Sequence, residues 1–169
     1  RCPMGEGNSG DGLFAASSQD GRPLSSYALL DAIFVGGFGS ALLRAARSGR
    51  LPEEVPLADV LLVGVATHKV SRLLTRSKVA GVVRAPFTEY EGPGNVGEVN
   101  EQPRGHGIRR ALGELAACPL CMGAWIAAGF TSGLVVTPRA TRVVAAAFSA
   151  LSIADFLHLA YAPAAEKAG

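Results

Sequence analysis

The sequence has little charge: 18% of its residues are Asp, Glu, Lys or Arg against 49% hydrophobic ones, with a mean hydropathy of +0.27. The net charge is only +2, and no run of basic residues is interleaved with aromatics, so the chain lacks the footprint of a nucleic-acid binder. Cysteine is also scarce. There are three, an odd number, and Cys2 lies far from Cys118 and Cys121, which argues against a secreted disulfide framework. No Ser-His-Asp order and no paired-carboxylate spacing points to hydrolysis. Residues 1–26 are rich in Gly, Ser and Asp and hold no apolar core of a secretory signal, so they are expected to form a disordered tail.

The apolar residues are gathered into blocks set apart by Arg-rich and Gly/Pro-rich stretches, which is the pattern of membrane spans. The organising stretch is Leu115 to Val136, which carries no charge and is long enough to cross a bilayer. An earlier block, Tyr27 to Leu43, contains Asp31 and places Gly36, Gly37, Gly39 and Ser40 where a neighbouring helix can approach closely. Pro52 and Pro56 break the chain before a second block from Leu57, which is expected to continue through Thr75 with Thr67, His68, Ser71 and Arg72 on one stripe. The last block, Val143 to Ala162, is interrupted only by Asp155 and His158. The expected architecture is an all-α membrane bundle over residues 27–162, with about four transmembrane helices. A polar loop at 76–110 would join helices 2 and 3, and residues 163–169 would be a C-terminal tail.

Basic residues accumulate on the cytoplasmic side of spans. With four spans, the two tails and the middle connection share a side that holds eleven of the sixteen Lys and Arg residues, against five at Arg44, Arg47, Arg50, Arg139 and Arg142. Both termini are therefore expected in the cytoplasm of a cell-membrane protein.

Chemistry centres on Cys118-Pro119-Leu120-Cys121. Proline suits the first turn of a helix, and a Cys118 N-cap would set both thiols at its positive end, where thiolates are stabilised. One reading is thiol–disulfide exchange with a quinone as electron acceptor, but the second cysteine pair of such a relay is missing. Another is zinc, with His106, His68 or Glu114 completing the ligands; a structural zinc site wants four, and no second C-x-x-C is present. The plain alternative is that both thiols are small helix-packing residues. Asp31, Arg72, Glu114, Asp155 and His158 are ionisable residues in or beside spans, which usually face a partner or a water-filled space. Gly92-Pro93-Gly94-Asn95-Val96-Gly97 has the letters of a dinucleotide loop without the buried strand and following helix that loop requires.

The combination of Ala66-Thr67-His68-Lys69-Val70-Ser71-Arg72-Leu73, Arg84-Ala85-Pro86-Phe87-Thr88, Glu89-Tyr90-Glu91-Gly92, Gly113-Glu114-Leu115, the Cys118/Cys121 motif with Gly123 and Trp125, and Ala154-Asp155-Phe156 resembles an uncharacterised bacterial family. It is known as a domain of unknown function, number 1360, and some of its members are described as sporulation proteins. The resemblance covers roughly Leu57 to Ala162 and implies a small multi-pass membrane protein with no assigned activity. The function expected is a non-enzymatic structural or accessory subunit whose partners are the lipid bilayer and other membrane subunits or itself. A thiol-redox or metal-binding protein is the alternative. No cofactor is expected for the first, whereas zinc or a quinone would serve the second.

Overall fold

A computed structural model of the chain describes residues 23–168, with side chains over residues 23–163. The expected tail up to residue 22, and Cys2 with it, lies outside the described residues. Helix α1 (Leu24–Arg47) is followed by α2 (Leu57–Arg76) and a single turn, α3 (Gly81–Arg84). Strands β1 (Thr88–Pro93) and β2 (Val99–Pro103) come next, then helices α4 (Gly107–Ala117), α5 (Pro119–Val136) and α6 (Pro138–Ala168).

The helix ends follow from local chemistry. Helix α1 closes with Gly49 at φ 63°, a left-handed residue that lets Gly49 N–H reach the Ala46 carbonyl at 3.1 Å and Arg50 N–H reach that of Ala45 at 3.0 Å. Pro52 and Pro56 then keep the chain irregular until α2 starts. Cys118, with φ −105° and ψ 109°, leaves helical geometry and divides the uncharged run: Leu115 to Ala117 end α4, and Pro119 opens α5 at its first position. Helix α6 runs on through the segment expected as a tail, with Pro163 inside it.

Helices α1, α5 and α6 (over Pro138–Pro163) are long and apolar enough to cross a membrane. Helix α2, the expected fourth span, carries Asp59, Lys69, Arg72 and Arg76 and is not among these three. It nevertheless runs between α5 and α6 and packs on both. Its first turn meets that of α6, where Arg142 donates to both carboxylate oxygens of Asp59 at 2.9 and 2.7 Å. Its last turns meet the hairpin, while Lys69 pairs with Asp155 in the C-terminal half of α6. Helix α1 leans on α5 through an edge-on pair of Phe34 and Trp125, with centroids 5.1 Å apart, and its first turn reaches α4 through Tyr27 and Glu114.

Burial is inverted relative to a water-soluble core. The apolar side chains that disappear from the surface are alanines, Ala45, Ala66, Ala111 and Ala145, while Leu29, Ile33, Leu61, Val143, Leu157 and other large ones stay exposed. Helix α6 turns Ala145, Ser149 and Ser152 toward α2, where Ala66 is fully buried and the Ser149 hydroxyl donates to the Leu62 carbonyl at 2.9 Å. Small residues permit this close approach, and in lipid it is close packing and hydrogen bonding rather than hydrophobic burial that hold helices together.

The all-α expectation needs correction over residues 76–110. This segment is not a solvated loop: β1 and β2 form an antiparallel hairpin pairing Thr88 with Pro103 and Tyr90 with Glu101, and Glu91 is an extra residue before the register resumes at Gly92–Asn100. The strands lack apolar alternation, so periodicity gives no sign of them. What holds them is polar. Arg84, only 2% exposed, makes a two-pronged contact with Glu101 at 3.0 and 2.8 Å and donates to the carbonyls of Leu74 and Ser77 at 2.6 and 3.0 Å. The same guanidinium therefore satisfies orphan carbonyls at the end of α2 and fixes β2. Thr88 Oγ1 stands 2.5 Å from Glu101 and 3.0 Å from the Arg84 carbonyl, and its single proton serves the carboxylate. Gly113 on α4 is buried where the hairpin crosses; a Cβ there would collide with the Phe87 carbonyl and come within 3.0 Å of Pro103 Cβ.

Candidate functional site

The last turns of α2 place Arg72 and Arg76 one turn apart on the face that meets the hairpin tip. Arg72 Nη2 holds Glu98 at 2.6 and 2.8 Å, and Arg76 Nη1 donates to Asn100 Oδ1 at 2.7 Å. Asn100 in turn donates to the Pro93 carbonyl at 3.1 Å, and Asn95 reaches Glu98 at 3.3 Å. Between these groups and Pro119 at the start of α5 lies a polar cleft of about 550 Å³. Of the Gly92–Gly97 run, Gly92 and Pro93 end β1 and residues 94–97 form the hairpin tip beside the cleft, with β2 after, so the run serves a turn.

Cys118 caps α5 at this corner: its Sγ accepts the Cys121 N–H at 3.2 Å. Both thiols are free, Cys118 half-buried and Cys121 exposed. Burial raises the Cys118 pKa, yet the Cys121 thiol, the N–H groups of Cys121 and Leu120 and the nearby Arg76 charge together hold it below the ordinary thiol value. Chemically this is a stabilised nucleophile at a helix N-terminus with a second thiol one turn away.

The remaining candidates are dispersed. His106 is exposed at the N-cap of α4, and His68 stacks on Phe156 with centroids 6.3 Å apart. Among the described residues no three His, Cys, Asp or Glu side chains gather as a metal would need, so neither histidine joins the thiols there. Glu114 accepts from Tyr27 and, at 3.0 Å, from Arg110. Asp155 is paired with Lys69, while Asp31 and His158 are exposed. Of the loop motif, Arg84 is the buried tie described above, Glu89 accepts from Gln102 at 3.1 Å, and Tyr90 and Glu91 are exposed. Sequence reasoning did not single out Arg76, Glu98, Asn100 or Glu101. The spacing of Arg72 and Arg76 is a usable signal for the basic wall of the cleft; nothing local marks the hairpin residues.

Fold and site together define a mostly helical protein with three helices apolar enough for a membrane and a small polar cap at one end of the bundle. The chain belongs to the family described as Protein of unknown function (DUF1360), which matches residues 62–161 and so takes in the hairpin, the cleft and the thiol pair. No curated protein and no solved structure matches the chain.

Proposed function

We propose that this chain is a non-enzymatic multi-pass protein of a bacterial cell membrane, an accessory subunit that packs against other membrane helices or a second copy of itself. The observation carrying this reading is the inverted burial, with alanine, serine and threonine inside and large apolar side chains outside. Hydrocarbon stabilises such a surface, whereas water does not. The α1–α5 side adds a shallow apolar groove of about 280 Å³ whose floor includes Gly37 and Gly129, both with open space above them. Helix α2 is the fourth crossing helix in this reading, its polar stripe turned to α5 and α6 and its charges at Asp59 and Lys69 paired. The hairpin cap and both chain ends face the cytoplasm, as the excess of basic residues on that side supports.

The test is carbonate washing of membranes followed by native mass measurement in mild detergent. The protein should stay in the pellet and run as an assembly larger than one chain, which Gly37→Leu should weaken. Extraction by carbonate, or a strict monomer in every mild detergent, would overturn the proposal. A second reading, thiol–disulfide exchange at Cys118 and Cys121, is favoured by the Cys118 N-cap geometry, with the Cys121 thiol one turn away.

A further inference from the structure

We propose that the cleft between α2, the hairpin tip and the start of α5 seats an anionic low-molecular-weight disulfide, which the Cys118/Cys121 pair reduces; this rests on the second, thiol-exchange reading in place of the non-enzymatic one and gives it a substrate class. Arg76 and Pro119, the residue bonded to Cys118, both line the cleft, so the basic end of α2 and the thiol end of α5 border one space. The two arginines are not equivalent. Arg72 is neutralised by both oxygens of Glu98, whereas Arg76 donates to the neutral Asn100 and has no carboxylate partner among the described residues. An uncompensated guanidinium in a polar cleft favours a ligand with a carboxylate or comparable anion, and Asn95 and Asn100 add side-chain amides. The volume of about 550 Å³ lies within the range of small-molecule sites.

The reaction balances without a further cofactor. The Cys118 thiolate attacks one sulfur of R–S–S–R, forming Cys118–S–S–R and releasing RS⁻. Cys121 then attacks the Cys118 sulfur, its proton passing to the departing thiolates, and a second RS⁻ leaves. The dithiol is oxidised to a disulfide and the substrate reduced to two thiols. Attack by Cys118 is set up by its position at the positive end of α5, with Cys121 one turn away to resolve the mixed disulfide.

The experiment uses the full chain in detergent, reduced, in a Cys2→Ser background. It is exposed to equal concentrations of glutathione disulfide (anionic), hydroxyethyl disulfide (neutral) and cystamine (cationic), and the Cys118–Cys121 disulfide is followed by alkylation and intact mass. Glutathione disulfide should react at least tenfold faster than cystamine, and added salt should shrink that ratio. Arg76→Gln should bring the ratio near one while Arg76→Lys keeps most of it, and Cys121→Ser should trap one glutathionyl group on Cys118. The comparison of three reagents on the unaltered cleft does not depend on any variant folding. Equal rates, or oxidation only by a protein disulfide, would overturn the cleft assignment and leave thiol exchange standing. Failure of the pair to oxidise with any reagent, oxidised dithiothreitol included, would remove the thiol-exchange reading as well.

Discussion

Replacing Glu101 by Gln tests whether the hairpin cap is held by one buried ion pair. The side chains of Arg84 and Glu101 are 2% and 11% exposed, so removing the carboxylate charge leaves a guanidinium that water barely reaches. Breaking a buried pair from one side costs about 3–5 kcal/mol. Here Arg84 keeps the Leu74 and Ser77 carbonyls, and glutamine still offers one acceptor oxygen, which lowers the expectation to about 2–3 kcal/mol. The loss should appear as local opening of β1 and β2. At about 1.4 kcal/mol per factor of ten, amide exchange there should rise roughly 30- to 150-fold, read by mass spectrometry in detergent, with α5 and α6 unchanged. The double variant Arg84→Met with Glu101→Leu should recover most of the protection, because no buried charge is left without its partner. Hairpin exchange within about threefold of the unaltered protein, or an equal rise in α5, would refute this account.

The same pair sets a pH dependence. Hydrogen bonds from Arg84, opposed by burial and aided by Thr88 and the Arg84 charge, hold the Glu101 pKa below the ordinary carboxylate value. A depressed pKa contributes stability that is fully present above the unfolded value of about 4.3 and is lost as pH falls through the lower folded value. Hairpin protection, corrected for intrinsic exchange, should therefore weaken across that acidic window in the native protein and weaken less in Glu101→Gln, where the Arg72–Glu98 pair still loses its carboxylate charge. Gly113→Ala should cost about 1–3 kcal/mol by driving α4 off Phe87 and Pro103, seen as a lower Tm in detergent; an unchanged Tm would show that the crossing is loose. Ala66→Leu should cost a similar amount, about 1–3 kcal/mol, by prying α2 from α6, whereas Leu157→Ala on the outer face should shift stability by less than about 0.5 kcal/mol. In a cysteine-free background, Gly94→Cys should label with an impermeant reagent only after lysis and Glu53→Cys in intact cells, with any outer wall layer first made permeable; the reverse pattern would invert the proposed orientation.

Helices α1, α5 and α6 were legible from the chain alone, because a membrane-length helix is encoded by a local and predominantly apolar run of residues. So was the Cys118 cap, since Cys-Pro at the head of such a run has one favourable geometry. The polar stripe of α2 was also visible, but which elements it faced was not: Ser71 and Thr75 are buried in a helix that packs on α5, α6 and the hairpin. The hairpin was hidden for a different reason. Glu89, Tyr90, Glu91 and Gly92 have no strand periodicity, and the pairing depends on Arg84 meeting Glu101 and on Arg72 and Arg76 meeting Glu98 and Asn100 across the chain. Charged residues attract any opposite partner, and their residue types alone do not choose among the candidates. Only when α2 ends beside the hairpin and α5 begins against both does one partner stand within hydrogen-bond reach, and that same meeting of elements creates the cleft beside Cys118.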